Sequence, residues 1–105
     1  QYKNDTYGGA TPEETLSLFI AALEAGDIEL ASKYFLPEKQ NEWEENLQQI
    51  KASDMLKTMV VDLKTAKEDY IQEDVAHYFI FSKTGQAAPL VFIKGLSGIW
   101  KIRTL

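Results

Sequence analysis

The sequence predicts a single α+β domain, with N-terminal helices packed on one face of an antiparallel sheet of about four strands. Three observations lead there. Apolar residues recur at helical spacing through the first half of the chain, and β-branched and aromatic residues cluster between turn signals in the second. A run of helices followed by a run of strands favours layered α+β packing, and 105 residues suffice for one hydrophobic core.

Residues 1–10 hold Tyr, Asn, Asp, Thr and Gly without periodicity and read as a flexible lead-in, leaving 11–105 as the domain. Thr11-Pro12-Glu13-Glu14 is a compact helix start. Thr11 can cap, Pro12 suits the first helical position, and Glu14 can close a capping box. Leu16, Phe19, Ile20 and Leu23 then share a face until Gly26 stops the helix. Asp27 can cap a second, shorter helix carrying Ile28, Ala31 and Phe35, which Pro37 breaks. From 37 to about 53, Trp43, Leu47 and Ile50 form the narrow stripe of a surface helix that acts as a partial lid. Residues 55–59 form a transition. The segments 60–66, 75–82, 89–94 and 99–104 read as strands, with turns near Glu68-Asp69, at Thr84-Gly85-Gln86 and at Ser97-Gly98. In the last strand Trp100 and Ile102 fall on one face, while Lys101 and Arg103 fall on a wet one. In the second strand Val75, His77, Phe79 and Phe81 oppose Ala76, Tyr78 and Ile80, so parity alone does not assign its inward face.

Composition narrows the chemistry. Sixteen acidic against eleven basic residues give a net charge of −5, which repels phosphate backbones and anionic lipid, so nucleic acid is not an expected partner. The absence of cysteine removes disulfides, thiolate catalysis and cysteine-ligated zinc. No residue pattern calls for a cofactor. The chain begins at Gln1, and its lead-in has the character of a segment that follows an anchor or signal. The expectation is an extracytoplasmic protein, secreted or tethered, that touches a membrane only through an N-terminal anchor outside this sequence.

The order of these pieces resembles the nuclear-transport-factor-two-like superfamily, also called the cystatin-like cone fold, and in particular its small exported or lipoprotein-type bacterial members. Thr11-Pro12-Glu13-Glu14 with its Leu/Phe-rich helix, Ala25-Gly26-Asp27 leading into 31–35, and Gly98-Ile99-Trp100-Lys101-Ile102 carry the resemblance. It implies a curved sheet wrapped around a long helix and a conical cavity used variously for isomerase or dehydratase chemistry, ligand binding or dimerisation. No catalytic pair of that family maps onto this chain.

Three kinds of function follow. An enzyme reading rests on His77, the only histidine, acting as a base beside Asp62 on a neighbouring strand, with Tyr34 or Tyr78 donating to an oxyanion. A regular strand sends Tyr78 and His77 to opposite faces, so the two cannot line one cavity. A ligand-binding reading places Tyr34, Trp43, Tyr78 and Trp100 around a small apolar ligand, although aromatics in so small a domain equally fill a core. An interaction reading follows from the two-sided apolar strand at 75–81, whose helix-free face a second copy can cover in a sheet-to-sheet homodimer. For metals, Asp74 and His77 sit on opposite faces, and Glu38, Glu42 and Glu45 align on one solvated helical face that offers a hard cation only weak binding. The expected function is noncatalytic ligand binding or protein interaction, with a small isomerase- or dehydratase-like enzyme as the alternative.

Overall fold

Thr11 begins the ordered helical layer. Its hydroxyl accepts from the Glu14 amide at 3.1 Å, and helix α1 runs Pro12–Glu24. Only half of the expected capping box forms, because the Glu14 carboxylate reaches the Ala10 amide rather than that of Thr11. The computed structural model describes residues 7–105. Within them Gly26, at φ 72°, turns the chain, and the Asp27 side chain caps α2 (Ile28–Ser32) by accepting from the Leu30 amide. A 3-10 turn at Pro37–Lys39 leads into α3 (Gln40–Ala52), and α4 follows at Leu56–Leu63.

That fourth helix corrects the strand expected at 60–66. Val60 and Val61 suggested β structure, but Leu56, Met59, Val60 and Leu63 repeat at helical spacing, and Val60 and Leu63 are buried against the core. The first strand comes later, as β1 (Lys67–Gln72), so Glu68 and Asp69 lie within a strand and the turn falls at Glu73, which adopts φ 54°. β2 (Val75–Phe81), β3 (Ala87–Lys94) and β4 (Trp100–Thr104) complete an antiparallel meander in the order β1-β2-β3-β4.

All the helices pack on one face of this sheet. Ala76, Phe92 and Ile102 are cross-strand neighbours on that face, as are Tyr78 and Leu90, and every one of these five is at most 3% exposed. Phe19, Leu23, Leu47, Val60 and Leu63 meet them from the helices, and Phe35 from the segment that follows α2. The parity left open by the sequence is thereby assigned: Ala76, Tyr78 and Ile80 point to the helices, and Val75, His77, Phe79 and Phe81 point away.

The sheet's two edges differ. Beside β4, Phe35 forms a parallel bridge to Ile102, with the Leu36 amide donating to Ile102 O and the Ile102 amide to Tyr34 O. The Trp100 amide donates to Gly9 O, and Gly8 lies so close that a Cβ there would come within 2.5 Å of Trp100 O. The lead-in is therefore bound to the domain from Tyr7 through Ala10; residues 1–6 of the expected flexible segment lie outside the described residues. The wet face expected for β4 holds at Arg103, which is exposed, but not at Lys101. Lys101 is 2% exposed, and its ammonium donates to the carbonyls of Tyr7 and Lys33. β1, by contrast, is exposed along its whole length.

Candidate functional site

The helix-free face of the sheet gathers the side chains that the core does not use. His77 on β2 lies between two rings. Tyr70 of β1 stacks on it at 5.3 Å between centroids, and Phe79 meets it edge-on at 5.1 Å. Val75 pairs with Ile93, and His77 with Val91, so the rings continue into an aliphatic strip on β3. The β1–β2 register shifts between Glu68 and Tyr70, and Asp69 at this irregularity brings its carboxylate toward the imidazole. The separation of 3.6 Å from Nδ1 to Oδ2 exceeds a hydrogen bond, and Nδ1 is buried without a partner among the described residues. At this separation Asp69 is an electrostatic neighbour of the imidazole rather than its hydrogen-bond partner.

Asp62, expected beside His77 on a strand, is on α4 in the helix layer, across the sheet from His77. The structure does not bring them together. Tyr78 faces the helices and donates to the Glu13 carboxylate at 2.6 Å. Burial first, then that hydrogen bond and the charges of Glu13 and Glu68, push its pKa above the usual phenol value. Its proton is directed at a neighbouring side chain rather than at an open cavity.

Tyr34, Tyr78 and Trp100 are 6%, 3% and 6% exposed and belong to the packed core. Tyr34 meets Tyr7 edge-on at 6.3 Å, and burial, followed by the nearby Tyr7 and Asp27, raises its pKa. Trp43 stacks on Phe35 at 4.8 Å and borders a shallow surface groove with Asn46, Gln49 and Ile50. The four residues thus do not surround one opening: Tyr34, Tyr78 and Trp100 are packed into the core, and Trp43 lies half-buried on α3 at a surface groove. Tyr70 and Asp69 join His77 without having been singled out in the sequence, since β1 carries no apolar alternation that would mark it.

Among the described residues no three His, Asp or Glu side chains are grouped closely enough to hold a metal ion. Nor is any helix among them long and apolar enough to cross a membrane. No family model, curated protein or solved structure matches the chain.

Proposed function

We propose that this chain is a noncatalytic protein-interaction domain, of the nuclear-transport-factor-two-like kind, that pairs with a second copy of itself through the helix-free face of its sheet. The observation that carries this reading is the parity of β2. With Ala76 and Tyr78 committed to the core, Val75, His77, Phe79 and Phe81 are left partly exposed on a face that no helix among the described residues covers. Contiguous apolar surface of this kind is stabilised when another surface removes it from water. Charge favours a twofold mate despite the net −5 of the chain. Lys67, which pairs with Phe79 in register, and Asp69, which approaches His77, border the face with opposite signs. An isologous contact can set each against its opposite.

Sedimentation equilibrium over a wide concentration range tests this. The expected result is a reversible dimer that Phe79→Glu converts to a monomer with an unchanged far-ultraviolet spectrum. A monomer at every concentration, or a dimer indifferent to Phe79→Glu, overturns the reading.

A further inference from the structure

The C-terminal ends of α1 and α3 and one side of α4 enclose an open groove of about 790 Å³. Its floor is apolar. Leu23 and Val60 form the buried part, Leu56 is half-buried, and Val61 is 52% exposed. Volumes of roughly 300–1,000 Å³ with apolar linings and a few polar groups are typical of small-molecule sites.

The rim is cationic on an otherwise acidic protein. Lys64 is paired with Glu24 at 3.0 Å, so those two charges offset each other. Lys51 donates one hydrogen bond to Gly26 O at 3.1 Å and has two N–H groups left. Lys57 has no partner among the described residues. Outside the Lys64–Glu24 pair, two ammonium groups face the single carboxylate of Asp54. Lys57 also stands in the first turn of α4, whose N-cap residue Met55 supplies no side-chain acceptor, so the free amides there add partial positive charge on the same side.

We propose that this groove binds a small anionic amphiphile: a single acyl chain lying on Leu56, Val60 and Val61, with its carboxylate held by Lys57 and Lys51. The exposed apolar floor is too small for a protein partner, which buries about 800 Å² on each side of a standard interface. It suits one hydrocarbon chain. The lysines select the anionic head over a neutral one, and the aliphatic floor distinguishes a fatty carboxylate from a short, fully hydrated anion.

Isothermal titration with decanoate below its micellar concentration tests the site, with decanol and acetate as comparison ligands. Saturable one-to-one binding of decanoate is expected, with decanol at least about tenfold weaker and acetate not bound. Lys57→Glu is expected to weaken decanoate by about tenfold or more without lowering the melting temperature, since Lys57 is exposed and a carboxylate suits the first turn of α4. Val61→Asp is expected to abolish binding, and Phe79→Glu to leave it unchanged, which separates this site from the sheet face. Absence of saturable binding overturns the proposal. So does equal affinity for decanol, indifference to both groove substitutions, loss of binding in Phe79→Glu, or binding of an acidic helical peptide in place of decanoate.

Discussion

The Tyr78 hydroxyl donates a 2.6 Å hydrogen bond to Oε2 of Glu13, joining the middle of β2 to the first turn of α1 across 65 positions of sequence. The ring packs edge-on against Phe92 at 5.5 Å, so Tyr78 fills core volume with its body and reaches the boundary with its tip. A carboxylate in the first turn also suits the positive end of the α1 dipole.

Tyr78→Phe keeps the ring and removes this bond. Because Glu13 is exposed and regains water, the expected cost at neutral pH is about 1.5 kcal/mol, at the lower end for bonds to charged groups. The raised pKa of Tyr78 gives the pH dependence. Below the unfolded value of about 10 both states hold the phenolic proton, and Tyr78 contributes no slope. Above it the folded state keeps a proton that the unfolded chain has released, so stability falls as pH rises toward the folded value. Urea denaturation at neutral and alkaline pH should show that decline in the parent protein and a shallower one in Tyr78→Phe.

Thr15 is fully buried and holds two other segments together. Its hydroxyl accepts from the Gly9 amide and donates to Trp100 O, both at 2.9 Å. Thr15→Val preserves shape and strands both backbone groups, so a loss of about 2 kcal/mol is expected by chemical denaturation.

Lys101→Met leaves the carbonyls of Tyr7 and Lys33 without the ammonium that binds them, and a loss of about 2 kcal/mol is again expected. Both substitutions loosen the same lead-in segment. Their combination should therefore cost less than the sum, and hydrogen exchange at the Trp100 amide, bonded to Gly9 O, should quicken in each single variant.

Val61→Ala distinguishes a helix from a strand at 56–63. The side chain is 52% exposed, so packing changes little and intrinsic preference decides. In α4 alanine should stabilise by about 0.5 kcal/mol, whereas a strand there would be weakened; the denaturation midpoint reads the sign.

The helices α1 and α2 were legible because local chemistry announces them. Thr11 and Asp27 cap, Pro12 starts, and Gly26 turns, each acting within a few residues of itself. The α4 segment misled because Val60-Val61 has β-branched character, which weighs little once Leu56, Val60 and Leu63 find a core. β1 was illegible for the opposite reason. Its six residues are all exposed and share no apolar face, so only pairing with β2 defines it. The expected pairing of His77 with Asp62 failed with the strand that was to carry Asp62, and Asp69 occupies that neighbourhood instead. Lys101 reads as a surface residue in any alternating pattern, because its acceptors are carbonyls 68 and 94 positions away.

β4 touches the lead-in through Trp100 and Lys101, α1 through the Thr15 hydroxyl, and the segment after α2 through Ile102. These attachments make the last strand a clasp for distant parts of the sequence: Thr15 and Trp100 stand 85 positions apart, so the buried hydroxyl of α1 finds its acceptor only when β4 is in place. Loss of β4 alone would therefore unfasten the lead-in, α1 and the segment after α2 together.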